Sequence, residues 1–267
     1  MVSLPLPTEK MLAEIDGAIG WVTFNNPERR NAVSLEMWSA VPAIFDRLEA
    51  DPAVRVIVLR GAGDKAFVSG LDISQFEGEV ASSQAALRLE ELSGAANRRI
   101  RQCQKPTITM IHGYCIGAGM QIAANCDLRV AADTASFGIT AAKLGLGYPV
   151  ASVKRLLDLV GPTHMAEIFF TGRLLSAAEA ERIGFLNRVV AAAELETSVR
   201  ETCQMIAANA PLTIAAFKQV MAELQATPSN VDLAACERLM NACFDSADYV
   251  EGRRAFREKR KPVFTGQ

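Results

Sequence analysis

The sequence lacks an excess of basic residues, a long apolar run and a secretory leader. Its formal net charge is −2, whereas proteins that bind nucleic acids usually present a basic face. No apolar run approaches the roughly 20 residues that span a membrane. The first ten residues contain two prolines and no apolar segment, unlike a signal peptide. We therefore expect a cytoplasmic protein whose partners include neither nucleic acid nor membrane.

Cysteine and histidine occur in no arrangement typical of a disulfide framework, a metal site or a nucleophilic centre. The six cysteines form no C-x-x-C pair, and we expect free buried thiols, as in a reducing compartment. The two histidines, His112 and His164, do not cluster with other metal-ligating or nucleophilic residues. We therefore expect no metal and no separate cofactor.

Hydrophobic periodicity and turn residues predict an α/β protein. Alternating segments on either side of Asp16-Gly17 predict a β-hairpin, and Ser34 is placed to cap a helix that continues to about residue 50. Further strands are predicted over 54–59, 107–111 and 128–131, and a long helix over 84–103. After Pro149 the pattern is mostly helical, with helices predicted over 176–183, 194–209, 211–225, 231–244 and 249–259. Strands recur about every fifty residues, which indicates a repeated unit of alternating strand and helix.

Two glycine-containing segments are the candidates for chemistry. They are KAFVSGLDIS at 65–74 and GYCIGAGMQIAANCD at 113–127. Each places glycine where a strand gives way to a helix or turn, and the first N–H groups of a helix lack partners within it. Two such groups that converge on one oxygen would form an oxyanion hole. Gly61-Ala62-Gly63 also follows a strand, but no helix starts directly after it, as a dinucleotide site requires.

Six ordered segments together resemble the crotonase (enoyl-CoA hydratase/isomerase) superfamily. These are NPERRNAVS at 26–34, the two glycine segments, FGITAAKLGLGY at 137–148, FTGRLLSAAEAERIGFLNRVV at 170–190 and FREKRKPVF at 256–264. The resemblance implies a spiral of ββα turns with a C-terminal helical region that builds trimers, often paired into hexamers. We therefore expect an acyl-CoA-binding core over 1–200 and an oligomerisation region over 201–267.

The resemblance also implies roles for individual residues, with coenzyme A present as part of the substrate. The backbone N–H groups of Leu71 and Ala118 would form the oxyanion hole for an acyl-CoA thioester. Lys259 would approach a CoA phosphate, often from a neighbouring subunit. The remaining CoA contacts would come from Arg29, Arg30 and the backbone of Val68–Gly70.

The sequence departs from the hydratases of this family at both acid–base positions. Those enzymes use two glutamates, and paired carboxylates suit proton transfer because their environments can set different pKa values. Here the two positions are Gln121 and Ala141, neither of which exchanges protons near neutral pH. Tyr148 follows seven positions after Ala141, a pattern similar to methylmalonyl-CoA decarboxylase-like members. Those members, however, have histidine where this chain has Leu71.

Three hypotheses about function remain open. In the first, a malonyl-type thioester loses CO₂ to give an enolate without a base, Tyr148 and Gln121 orient its carboxylate, and Ala141, Leu144 and Leu146 form a dry wall. In the second, the protein is an enoyl-CoA hydratase or isomerase whose acid–base groups lie elsewhere. Candidates for that role are Glu77, Glu79, Glu90 and Glu91. In the third, the protein binds acyl-CoA without catalysis.

Overall fold

The structure is a computed structural model that describes residues 1–72, 83–225 and 232–267. The strands of this part of the chain belong to two sheets. They are β1 (Val2–Ser3), β2 (Met11–Asp16), β3 (Ile19–Phe24), β4 (Val56–Gly61), β5 (Ala66–Val68), β6 (Thr107–Ile111), β7 (Tyr114–Ile116), β8 (Leu128–Ala132), β9 (Ser136–Gly138), β10 (Leu175–Ser176) and β11 (Arg188–Val190). The described α-helices surround these sheets and dominate the C-terminal part. They are α1 (Leu35–Ala50), α2 (Ser83–Gln102), α3 (Ala118–Asn125), α4 (Val150–Thr171), α5 (Ala177–Arg182), α6 (Leu195–Ala207), α7 (Pro211–Gln225), α8 (Leu233–Phe244) and α9 (Ala247–Glu258).

From β4 to β9, successive strands alternate between the two sheets, which gives the chain its spiral course. Within the described residues the larger sheet has seven strands in the order β1-β2-β3-β4-β6-β8-β11, and the smaller has four in the order β10-β9-β7-β5. Thus β4, β6 and β8 each join the larger sheet, and β5, β7 and β9 each follow into the smaller one before a helix begins. This is the predicted spiral of ββα turns. Strands β3, β4, β6, β8 and β11 pair in parallel, as crossover connections require.

Several elements confirm the sequence predictions closely. The hairpin of β2 and β3 forms around Asp16-Gly17, and β6 occupies the predicted range. Helix α1 begins after Ser34, whose hydroxyl accepts a hydrogen bond from the N–H of Met37 at 3.3 Å. Helix α4 is interrupted at Gly161, which has φ of 74° and precedes Pro162, as expected where proline removes a helical hydrogen bond. None of the helices that the structure describes is both long and apolar enough to cross a membrane.

Apolar side chains fill both faces of the larger sheet. One face packs on α1 and α3, where Trp38, Phe45 and Met120 are fully buried. The other face packs on α6, whose Leu195, Val199 and Cys203 contact the strand residues of a second cluster. The expected boundary between residues 200 and 201 falls inside α6, whose residues contribute to this second cluster. The division into an acyl-CoA-binding core and an oligomerisation region stays a prediction.

Candidate active site

The two glycine segments meet because their strands are neighbours in the smaller sheet. Strands β5 and β7 pair in parallel, with Val68 opposite Cys115. Parallel strands end at the same edge of a sheet, so the residues that follow them emerge side by side. A Cβ atom built on Gly117 would lie 3.9 Å from the Cα atom of Gly70. The structure thus brings the predicted segments together at one point.

In the first segment, the N–H of Leu71 takes no part in the β-bridge that this segment forms with Val33. Val33 donates its N–H to the carbonyl oxygen of Gly70 at 2.9 Å and accepts from the N–H of Asp72 at 3.0 Å. These two bonds use the carbonyl group of the residue before Leu71 and the N–H group of the residue after it. No carbonyl among the residues that the structure describes accepts the N–H of Leu71.

The second segment ends with an amide at the start of a helix. Gly117 has φ of 52° and ψ of −105°, a conformation that favours glycine, and its N–H bonds to the Gly138 oxygen at 2.9 Å. Helix α3 then begins at Ala118, and the N–H groups of a first helical turn have no acceptor within the helix. In the described part of the chain, no other carbonyl takes the N–H of Ala118.

Close packing fixes the position of α3 at both ends. A Cβ atom on Gly119 would lie only 2.3 Å from the Val68 oxygen, so a residue without a side chain is needed where α3 meets β5. At the other end, the buried guanidinium of Arg129 donates to the oxygens of Ala123 at 3.3 Å and Cys126 at 2.7 Å. Burial lowers the pKa of Arg129 to about 10.

A loop at 26–31 supports the first segment. Asn31 is fully buried in a left-handed conformation with φ of 57°. Its amide donates to the oxygens of Ala62 at 3.0 Å and Ala66 at 2.7 Å. Asn31 lies in the segment NPERRNAVS, but no role was predicted for it from the sequence. The preference of asparagine for left-handed turns would have been the available signal.

Two arginines of the same loop lie beside the segments. Arg29 forms an ion pair with the buried Asp72 at 3.0 Å, and the guanidinium of Arg30 lies 5.0 Å from the ring centroid of Tyr114. Both arginines are exposed. Both arginine side chains are therefore accessible beside the two segments, and their contact with CoA stays a prediction. Arg29 also holds Asp72, the residue next to Leu71.

Tyr148 reaches the second segment from the far side. Its hydroxyl donates to the oxygen of Gly117 at 3.3 Å, and its ring packs edge-on against Phe169 with 5.2 Å between centroids. Burial raises the pKa of Tyr148 above its ordinary value, and a hydrogen bond with the Gln121 side chain partly opposes that shift. The hydroxyl therefore stays protonated at neutral and moderately alkaline pH.

Comparison with known sequences decides the family. The profile of the enoyl-CoA hydratase/isomerase family matches residues 14–267. The chain belongs to this family. A short-chain-enoyl-CoA hydratase from Clostridium acetobutylicum is 32% identical over 251 residues, which cover 94% of this chain and 95% of the relative. A carnitinyl-CoA dehydratase from Escherichia coli is 34% identical over 261 residues, with 94% and 97% covered.

Solved structures agree with this membership of the enoyl-CoA hydratase/isomerase family. An enoyl-CoA hydratase/carnithine racemase from Magnetospirillum magneticum superposes with a TM-score of 0.91 at 35% identity, covering 98% of this chain and 97% of that one. The enoyl-CoA hydratase from Bacillus anthracis superposes with a TM-score of 0.88 at 27% identity, with 97% and 100% covered. The predicted crotonase-type fold is therefore confirmed.

For an enoyl-CoA hydratase/isomerase family member, the site is poor in carboxylates. Gln121 lies on α3, and Ala141 is buried at the start of a short 3₁₀ helix, Ala141–Leu144. Glu90 and Glu91 are exposed on α2, while Glu77 and Glu79 lie outside the described residues. The described part of the chain also contains no group of three His, Cys, Asp or Glu side chains that could hold a metal ion.

The other residues predicted around the site lie at the surface of the single chain. Leu144 and Leu146 are 59% and 48% exposed, so of the predicted dry wall only Ala141 is buried in the single chain. The role of that wall stays a prediction. Lys259 ends α9 in a left-handed conformation with an exposed side chain, and its role at a CoA phosphate stays a prediction.

Proposed function

We propose that this enoyl-CoA hydratase/isomerase family member stabilises the enolate of an acyl-CoA thioester between the N–H groups of Leu71 and Ala118. We further propose that the enolate arises by loss of CO₂ from a malonyl-type CoA. One observation carries this proposal: the two amides lie together, but Gln121 and Ala141 occupy the positions at which a hydratase of the family has carboxylates. Among the described residues, the proposed site can hold an enolate but has no carboxylate at the two positions where a hydratase would use one for proton transfer.

Decarboxylation requires stabilisation of the enolate, which the two proposed N–H donors would provide, and it requires no general base. The bond between the α-carbon and the carboxylate carbon breaks, and its electron pair moves into the enolate, so that negative charge develops on the thioester oxygen. Preformed N–H donors stabilise such charge, and the loss of one donor typically costs about 10²–10³ in rate. The enolate then takes a proton from water at the α-carbon, which leaves a saturated acyl-CoA and hydroxide.

The polar side chains near the two amides have different proposed roles. Tyr148 gives its only proton to the Gly117 oxygen, so we assign the orientation of the substrate carboxylate to the amide of Gln121. The side-chain amide of Gln121 has two N–H bonds to donate, and Gln121 lies in the first turn of α3, which begins at Ala118. Buried Ala141 adds apolar surface that disfavours a charged carboxylate.

The CoA portion would bind along the loop that supports the first segment. We assign its contacts to Arg29, Arg30 and the backbone of Val68–Gly70, with Lys259 supplied by a neighbouring subunit. The exposed arginine side chains suit phosphate groups, because a guanidinium presents several donors in one plane.

An oligomer is the state in which we expect this site to work. Large apolar side chains are exposed on the C-terminal helices, including Phe217 at 64%, Phe244 at 57% and Phe256 at 86%. Exposed apolar surface of this kind marks protein–protein contact. We propose a homotrimer or a dimer of trimers, and light scattering on the purified protein should give a mass three or six times that of the 28.8 kDa chain.

The direct test is release of CO₂ from malonyl-CoA and alkylmalonyl-CoA thioesters by purified protein. We expect release of one CO₂ per acyl-CoA formed. We also expect turnover to change by less than about threefold between about pH 6 and 9, because the bond-breaking step uses no general acid or base and the raised pKa of Tyr148 keeps its hydroxyl protonated.

Two results would contradict decarboxylation. Binding of these thioesters without any CO₂ release would favour an acyl-CoA-binding protein without catalysis. A bell-shaped dependence of turnover on pH would instead point to a general acid and base that the described residues do not reveal.

Hydration of an enoyl-CoA is the second candidate function. The observation that favours it is the similarity to a short-chain-enoyl-CoA hydratase and a carnitinyl-CoA dehydratase over nearly the whole chain. Loss of the enoyl absorbance of crotonyl-CoA measures this activity. A rate comparable with that of those relatives would show that acid–base groups lie elsewhere in the site, and CO₂ release would then be absent.

A further inference from the structure

Tyr148 contacts the same peptide group that provides one of the two amides. The carbonyl oxygen of Gly117 and the N–H of Ala118 are opposite ends of one planar unit. Tyr148 is bonded to the oxygen end at 3.3 Å, while the N–H end faces the position proposed for the thioester oxygen. A hydrogen bond to the Gly117 oxygen therefore polarises the same peptide group that carries the Ala118 N–H.

The direction of the hydrogen bond follows from the donors and acceptors that the two groups have. A backbone carbonyl oxygen only accepts, so the Tyr148 hydroxyl must be the donor. Its single proton is then used, so the hydroxyl oxygen can only accept from other groups. The Gly117 oxygen also accepts from the backbone N–H of Gln121 at 3.1 Å. The Tyr148 hydroxyl and the Gly117 carbonyl thus form one chain of dipoles that points towards the N–H of Ala118.

We infer that Tyr148 is a positioning residue for the oxyanion hole, in which the relay from the Tyr148 hydroxyl through the Gly117 carbonyl strengthens and orients the Ala118 N–H as a donor. This inference rests on the proposed hole at Leu71 and Ala118, but not on decarboxylation. It departs from the expectation that the Tyr148 hydroxyl contacts the substrate.

The anchoring of Tyr148 does not depend on a substrate. Its ring packs on Phe169 and belongs to the main core cluster, and Pro149, which follows it, caps α4. The hydroxyl is therefore held against the Gly117 oxygen by the fold itself. A preformed donor of this kind needs no reorganisation when charge develops on the substrate.

The expected size of the effect follows from hydrogen-bond cooperativity. Each bond in a chain strengthens the next by roughly 10–30%, and one oxyanion donor contributes about 10²–10³ in rate. The hydroxyl should therefore contribute about two- to eightfold to enolate stabilisation. A distance of 3.3 Å is long for a hydroxyl donor, which places the expectation towards the lower part of that range.

The test compares two CoA thioesters as ligands of the Tyr148→Phe variant. Acetoacetyl-CoA ionises to a stable enolate that is followed by its ultraviolet absorbance, whereas butyryl-CoA offers a neutral thioester. We expect the equilibrium constant for enolate formation on the enzyme to fall about two- to eightfold, with the affinity for butyryl-CoA unchanged. A fall of the same factor for both ligands would overturn the inference, because it would indicate a merely structural role.

Tyr249→Phe provides the matched control. Tyr249 packs edge-on against Phe244 at 5.3 Å between centroids, almost the same ring contact that Tyr148 makes, but it lies on the C-terminal helix α9. Loss of its hydroxyl should leave both equilibria as in the wild-type protein. A control that lowers enolate formation as much as Tyr148→Phe would also overturn the inference.

The two proposals fail in distinguishable ways. If the wild-type protein does not favour the enolate of acetoacetyl-CoA over its keto form, the oxyanion hole is wrong and the relay falls with it. If the wild-type protein favours the enolate and Tyr148→Phe favours it equally, the relay alone is wrong.

Discussion

Gly119→Ala should lower enolate stabilisation by about 10²-fold or more. The added Cβ atom would lie 2.3 Å from the Val68 oxygen, so α3 must move away from β5 by several tenths of an ångström or more. That movement carries the Ala118 amide with it, and misplacement of a catalytic group by about 1 Å can cost 10² in rate. The enolate absorbance of bound acetoacetyl-CoA measures the loss, and thermal melting followed by circular dichroism shows whether the variant is folded.

Gly94→Ala is the matched control for that substitution. Gly94 also lies inside a helix, α2, but the only atoms within 4 Å of its added Cβ would be those at the flexible end of Arg98. Alanine is favoured over glycine in helices by about 1 kcal/mol, so this variant should be as stable as the wild-type protein or more so, with normal enolate formation. A folded Gly119→Ala protein with normal enolate formation would contradict the placement of the donor at Ala118.

The double variant Gln121→Glu/Ala141→Glu should gain hydration of crotonyl-CoA by about 10²–10⁴-fold over the wild-type protein, the usual contribution of general acid–base catalysis. It places carboxylates at the two positions where the family's hydratases are expected to have them, beside the proposed oxyanion hole. The same variant should lose CO₂ release, because two negative charges near the pocket repel a substrate carboxylate.

A control with the same change of charge separates catalysis from general electrostatics. Gln204 and Ala193 are exposed and lie on or next to α6, so Gln204→Glu/Ala193→Glu should change neither activity. If the double variant at 121 and 141 is folded and hydrates crotonyl-CoA no faster than this control, the absence of the two glutamates does not explain the chemistry of the wild-type protein.

The sequence was sufficient to predict the long elements and the meeting of the glycine segments. Helix α1 and strand β6 have enough residues for periodicity and capping to define them. Strands β5 and β7 were not predicted, since three residues show too little alternation to distinguish a strand from a turn. For the same reason the glycine segment at 113–127 did not reveal that β7 lies within it, directly before α3.

Contacts between distant parts of the chain account for most of what the sequence did not predict. The bond from Tyr148 to the Gly117 oxygen spans 31 residues and depends on where the 3₁₀ turn leaves the chain, which no local pattern encodes. The role of Arg129 was also missed, although a lone arginine in the apolar strand LRVAA is an indication that its charge must be satisfied internally.

The two amides belong to the main chain, and this affects how the protein can evolve. A substitution at 71 or 118 changes a side chain and leaves the N–H in place, provided that the backbone keeps its course. The proposed site therefore tolerates mutation at the residues whose amides would hold the enolate, while replacements at 121 and 141 would alter how the enolate is formed and a replacement at 148 would alter how strongly it is held. New reactions can arise from a few nucleotide changes around an unaltered anion-binding site.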